Sequence, residues 1–107
     1  MSDLLVAKTI LAQLGGRGRL TAMTGAKNYL GDENSLSFRL PARLAKKGIN
    51  RVTITLDGAT DTYVVEGIKI TQRLGNWKTV PIAKHELVYA EDLQRFFSEM
   101  TGLSTHI

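Results

Sequence analysis

The sequence predicts an α+β fold, a two-layer sandwich in which an antiparallel sheet of four to five strands carries the N- and C-terminal helices on one face. Three observations predict it. Between Asn34 and Ile70, apolar and polar residues alternate three times in succession: Leu36, Phe38, Leu40; then Val52, Ile54, Leu56; then Tyr63, Val65, passing at Gly67 into Ile68 and Ile70. Period-two alternation over a short run marks a strand with one face buried and one wet. The other two observations are apolar stripes at helical spacing near the chain ends, Leu4, Ala7, Ile10, Leu11, Leu14 and Leu93, Phe96, Phe97, Met100. Each stripe has one face to bury and the sheet has another, so the layers stack.

The first helix has Ser2 or Asp3 available as a cap and Gly15-Gly16 to end it. Gly16-Arg17-Gly18-Arg19 is similar to arginine-glycine segments that bind RNA, but it occurs in one copy and is taken as a flexible connector. Leu20 to Thr24 reads as a short strand, and Gly25 to Asn34 as a polar loop with two glycine turn points. Gly25-Ala26-Lys27 lacks the second glycine and the hydroxyl residue with which a phosphate loop closes its amides around phosphate oxygens.

Pro41 to Ile49 reads as a short helix, with proline in its first turn, Gly48 just past its end, and Leu44 and Ile49 placed for the apolar contact of such a stop. Arg51 to Leu56 turns through Asp57-Gly58-Ala59-Thr60-Asp61 into Thr62 to Ile70, an antiparallel hairpin by loop length. Tyr63 and Val65 are odd-numbered, Ile68 and Ile70 even, so a bulge at Gly67 is expected to restore a single buried face. Leu74 to Trp77 supplies a further turn and Lys78 to Val88 an irregular extended segment. Glu91 and Asp92 lie in the first turn of the last helix, where the dipole favours acids, and Gly102 stops it.

At 107 residues the chain is expected to form one domain, burying roughly 60 to 68% of its unfolded surface around one core. It has no cysteine, which excludes a disulfide framework and thiolate metal ligation and makes the cytoplasm the expected compartment. The start carries an acid where a secretory leader has bases, and the longest apolar run there is four residues, so neither a leader nor a membrane span is expected.

The formal net charge of +4 is unevenly spread. Residues 34–56 carry Arg39, Arg43, Lys46, Lys47 and Arg51 against no acid, whereas residues 85–107 carry one base against four acids. A basic middle and an acidic tail point to an anionic partner on one face; a solvated basic face without a partner has the same composition.

Met23-Thr24-Gly25-Ala26-Lys27-Asn28 and Asn34-Ser35-Leu36-Ser37-Phe38-Arg39-Leu40-Pro41, followed by Gly48-Ile49-Asn50, Val52-Thr53-Ile54-Thr55-Leu56 and Thr101-Gly102-Leu103, carry a resemblance that covers most of the chain. It resembles a set of small proteins of tailed phages and prophages for which no activity is established. The resemblance implies a phage or mobile-element setting, with action in the host cytoplasm, and transfers no catalytic or binding residue.

No catalytic residue, metal site or cofactor is expected. His85 and His106 are the only histidines and have no helical i, i+4 relation; no Gly-x-Ser-x-Gly elbow is present. The adjacent acids Asp32-Glu33 and Glu91-Asp92 suit turn and helix-start chemistry, so the chain reads as a non-enzymatic binding protein. Opposite the buried alternation, Ser35, Ser37, Arg39, Arg51, Thr53 and Thr55 share a face able to track phosphates. No aromatic residue is expected on that face, and Tyr29 and Trp77, read as loop residues, are the candidates for base stacking. The candidate binding residues are therefore Arg39, Arg43, Lys46, Lys47, Arg51, Tyr29 and Trp77. The partner is a nucleic acid or a host nucleoprotein; the alternatives are a protein-binding inhibitor of a host defence or nuclease complex, similar to anti-CRISPR proteins, and a minor virion or assembly component.

Overall fold

The computed structural model describes residues 5–41 and 48–102. In chain order these form α1 (Leu5–Gln13), α2 (Arg17–Thr24), β1 (Lys27–Gly31), β2 (Ser35–Arg39), β3 (Arg51–Asp57), β4 (Thr62–Arg73), β5 (Asn76–Val88), a 3-10 turn (Ala90–Asp92) and α3 (Leu93–Thr101). The five strands pair antiparallel in sequence order, β1-β2-β3-β4-β5. α1 packs on β2 and α3 on β4 and β5, which gives the expected α+β architecture of a sheet with helices at both ends of the chain.

The alternation in β2 and β3 is obeyed residue by residue. Leu36 lies opposite Ile54 and Phe38 opposite Val52, all buried, while Ser37 faces Thr53 and Arg39 faces Arg51 on the open side. Between the layers, the Phe38 ring stands 5.8 Å from Phe97 and 5.6 Å from Tyr29. α1 contributes Ala7 and Ile10, with Leu14 just beyond its end. The expected cap residues Ser2 and Asp3 lie outside the described residues. Asn50 continues β3 by one step, because its side chain imitates a backbone pair: Nδ2 donates to the Ile70 carbonyl and Oδ1 accepts from the Ile70 amide, each at 2.8 Å.

Four expectations are corrected. Gly16 to Arg19 is not a free connector, nor Leu20 to Thr24 a strand: together they form α2. Leu20 and Thr24, four residues apart, are both buried, and Thr24 Oγ1 donates to the Leu20 carbonyl while accepting from the Ala26 amide. Gly16 at φ 91° and Gly25 at φ 76° let the chain enter and leave this helix, and a Cβ on Gly25 would lie 2.8 Å from Pro41 Cγ.

The predicted polar loop from Gly25 to Asn34 contains β1. It is an irregular edge strand, bulged between Lys27 and Leu30 with Asn28 at φ 56°, and Tyr29 is its one half-buried residue. The irregular extended segment expected from Lys78 to Val88 is found as the greater part of β5, a 13-residue edge strand that starts at Asn76, breaks register with β4 at two points and tolerates Pro81 because it is an edge.

The bulge expected at Gly67 lies in β5 instead. β4 pairs with β3 without a break from Arg51–Ile68 to Asp57–Thr62. On its other side Gly67 pairs with Ala83 and Ile68 with Pro81, which leaves Ile82 as the extra residue. An edge strand has one ladder to disturb, an inner strand two. β4 therefore keeps its alternation, and Ile68 and Ile70 stand half-buried on the open face. Gly67 serves close packing: a Cβ there would lie 2.9 Å from Ile49 Cδ1 and 3.1 Å from Met100 Sδ.

In the last helix Leu93, Phe97 and Met100 are buried and Phe96 is only half-buried, while Glu91 and Asp92 occupy the 3-10 turn before α3. Gly102 ends it at φ 74°, its amide bonded to the Ser98 carbonyl. No helix of the described residues is long and apolar enough to cross a membrane.

Candidate functional site

The meander gathers three bases at one end of the first three strands. Lys27, Arg39 and Arg51 form one row across β1, β2 and β3, since Lys27 pairs with Arg39 and Arg39 with Arg51. Residues directly opposite in an antiparallel pair share a face, so the row stands on the open side. Asp32 and Glu33 lie in the β1–β2 turn and Asp57 and Asp61 at the β3–β4 turn, while Glu66 of β4 stands opposite Thr53 and so shares the open face, diagonal to Arg51. From Arg51 to Asp57 along β3 is about 20 Å at 3.4 Å per residue.

Among the described residues the ion pairs are Lys84–Glu86 and Asp92–Arg95. Neither involves Arg39 or Arg51. Arg51 is oriented by one neutral partner, Nη2 donating to Ser37 Oγ at 3.1 Å, with no carboxylate in salt-bridge range among the described residues.

Beside this pair the open face holds a cleft of about 410 Å³, lined by Arg39, Arg51, Ile70, Trp77 and Thr79. β5 brings Trp77 there: it pairs with Gln72, and Thr79 with Ile70, so the indole and the threonine follow one another on the side that carries the arginines. Trp77 is 66% exposed. The open face thus has an aromatic residue after all, and Trp77 is a strand residue.

The floor of the cleft is held from beneath. The Asn50 amide fixes Ile70 at both its backbone groups, and Ile70 sets the register that carries Thr79 and, two residues on, Trp77. Two guanidinium groups, a hydroxyl and an indole face around an apolar floor can pair with phosphate oxygens and stack a planar ring together.

Of the seven candidate residues, the structure brings Arg39, Arg51 and Trp77 into one cleft. Tyr29 lies apart, on the helix-covered side, with its ring on Phe38 and its hydroxyl 2.8 Å from Thr21 Oγ1. Arg43, Lys46 and Lys47, with the centre of the predicted short helix, lie outside the described residues. Sequence reasoning missed Lys27, Asn50, Ile70 and Thr79. A usable signal for Thr79 was the even spacing of Trp77, Thr79 and Pro81 after a two-residue turn, which assigns one face of a strand.

Among the described residues no group of three or more His, Asp or Glu side chains is placed to hold a metal ion. The titration that stands out is remote from the cleft: burial, and secondarily the Asp61 charge, raise the pKa of Tyr63 above the ordinary 10.0. Comparison of the chain with protein-family models, with curated proteins and with solved structures finds no match.

Proposed function

We propose that this chain is a non-enzymatic binding protein of a phage or mobile element that takes single-stranded nucleic acid across the open face of its sheet, in the host cytoplasm. The observation that carries the reading is the cleft in which Trp77 stands beside Arg39 and Arg51 with no carboxylate in salt-bridge range among the described residues. Phosphates pair with the Lys27–Arg39–Arg51 row, and a base stacks on the indole. Single-strand binders combine these two elements, a positive track and an aromatic platform. The hydroxyls of Ser37, Thr53 and Thr79 line the same face and serve as neutral donors to phosphate or sugar oxygens.

Fluorescence anisotropy of a labelled single-stranded oligonucleotide, titrated at several salt concentrations, tests the reading. Wild type is expected to bind with an affinity that falls steeply with salt and with quenching of Trp77; Arg39→Glu with Arg51→Glu is expected to abolish both. Salt-independent binding, or equal binding by the double variant, overturns it. An acidic host protein, the target of an inhibitor, would use the same arginines. A pull-down from host lysate separates the two readings, because a nucleic-acid binder loses its partners after nuclease treatment and an inhibitor keeps them.

A further inference from the structure

The tip of the β4–β5 hairpin carries a residue that suits neither its backbone nor its solvent. Arg73 pairs with Asn76, so the loop is two residues long, and both are at positive φ, Leu74 at 54° and Gly75 at 82°. That is the pattern of a type I′ turn, whose first position is usually Asn, Asp or Gly. Here it is leucine, a γ-branched side chain held in the left-handed region and 93% exposed. A side chain that is unfavourable on both counts points to a use at the tip.

The surroundings say what kind of use. Beyond Ile70, which Asn50 clamps, β5 is the sole pairing partner of β4 among the described residues, so Thr71 to Lys78 form a narrow two-stranded ribbon. From Gly67 to His85 the sequence contains Lys69, Arg73, Lys78 and Lys84 and no acid. The ribbon itself carries Arg73 and Lys78, with Lys69 and Lys84 nearer its base, and so has basic flanks and an apolar point. Its chemistry fits a phosphate-flanked stack of bases, into which apolar side chains, leucine among them, insert as wedges.

The cleft begins directly behind the point. Trp77 pairs with Gln72, two residues back from Leu74, about 7 Å at 3.4 Å per residue. Two steps of stacked bases cover the same distance.

We infer that the hairpin is a wedge for the junction between double- and single-stranded nucleic acid: Leu74 abuts and loosens the last base pair, and the released strand passes its first unpaired bases to Trp77 and its phosphates to Arg39 and Arg51. The inference rests on the single-strand reading above. It adds a preferred form of ligand, a fork, and a residue outside the cleft that selects it. No bond is made or broken; stacking on Leu74 and Trp77 replaces stacking in the duplex.

Three labelled probes of the same sequence test it by anisotropy: a single strand, a blunt duplex, and a duplex with a single-stranded tail. Wild type is expected to bind the tailed duplex about tenfold tighter than either other probe, and 2-aminopurine in the terminal base pair is expected to brighten on binding. Leu74→Asn keeps the turn and is expected to bind the single strand within about twofold of wild type while losing both the preference and the brightening. Equal wild-type affinity for single strand and fork overturns the wedge and leaves the single-strand reading standing, as does a fork preference retained by Leu74→Asn. If wild type binds none of the three probes, both fall.

Discussion

Arg39 and Arg51 stand directly opposite one another across the β2–β3 ladder, and neither has a carboxylate in salt-bridge range among the described residues. Like charges in this position work against the pairing by about 0.2 to 1 kcal/mol, and Lys27, opposite Arg39 on its other side, adds to the repulsion. Replacing Arg39 by threonine, a good strand former, should raise the melting temperature slightly. The same change should weaken oligonucleotide binding and flatten its salt dependence by about 0.7 in the log–log slope, the loss of one single-strand phosphate contact. Unchanged binding by a stabilised Arg39→Thr would mean that the row is only a solvated face.

Asn50 does the work of a backbone pair with a side chain, so its loss is costlier than that of an ordinary surface amide. Asn50→Ala leaves the Ile70 amide and carbonyl without their 2.8 Å partners in a half-buried position. The expected loss is about 2 kcal/mol of stability. Oligonucleotide affinity should fall as well, because the strand register that sets Trp77 beside the arginines is no longer clamped. A denaturant midpoint equal to wild type would show that water replaces the amide at no cost.

The two phenylalanines of α3 divide between core and rim. Phe97 is fully buried with its ring 5.8 Å from Phe38, whereas Phe96 is half-exposed, leaning on the His85 ring at 5.2 Å and under the Arg95 guanidinium at 5.1 Å. Phe97→Ala should cost about 3 to 5 kcal/mol. Phe96→Ala should cost about 1 to 2 kcal/mol, since only part of its area leaves water on folding. Chemical denaturation of the two variants side by side decides the order, and a reversed order would refute this placement of the helix.

The strands between Leu36 and Val65 were legible because Leu36, Phe38, Val52, Ile54, Tyr63 and Val65 alternate at period two and are all buried beneath the helices, whereas Ile68 and Ile70 pass to the open face. α2 was not, since Leu20 and Thr24 fit one helical turn as well as they fit a five-residue strand. β1 was hidden for a different reason: an edge strand with a bulge and one inward residue, Tyr29, has no alternation to read. The two arginines were legible as a cluster, being close in sequence on strands with a clear register. Trp77 was not, because its face depends on where the Leu74-Gly75 turn falls and on β4 keeping its alternation through Gly67. The expected bulge in β4 would have turned Ile70 inward and removed the floor of the cleft.

Tyr63 gives a dependence on alkaline pH. Burial, and then the nearby Asp61 charge, favour its neutral phenol, so its pKa in the folded protein lies above the ordinary 10.0. The folded state then holds this proton to a higher pH than the unfolded chain does. The associated stability is complete below about pH 10 and is lost as pH rises through the raised value. Tyr63→Phe should therefore lose less of its melting temperature than wild type between about pH 9 and pH 11. The other tyrosines and the lysines contribute a slope common to both proteins, so the comparison isolates Tyr63. Parallel curves would show that its hydroxyl titrates alike in both states.

Leu74 offers the opposite trade. A leucine in the left-handed region costs about 1 to 2 kcal/mol relative to the right-handed one, and asparagine tolerates it far better because its short polar side chain bonds locally. At 93% exposure the leucine has no burial to lose. Leu74→Asn should therefore stabilise the fold by about 1 kcal/mol, a rise of about 4 to 8 °C in melting temperature for a domain near this size. A stability gain from a single surface change, at a turn whose sequence preference is strong, means that the native residue is held there against folding. Thermal unfolding of the two proteins at neutral pH measures it. A melting temperature for Leu74→Asn at or below that of wild type would mean that the leucine makes a stabilising contact at the tip, and the argument that its position reflects a use in binding would go with it.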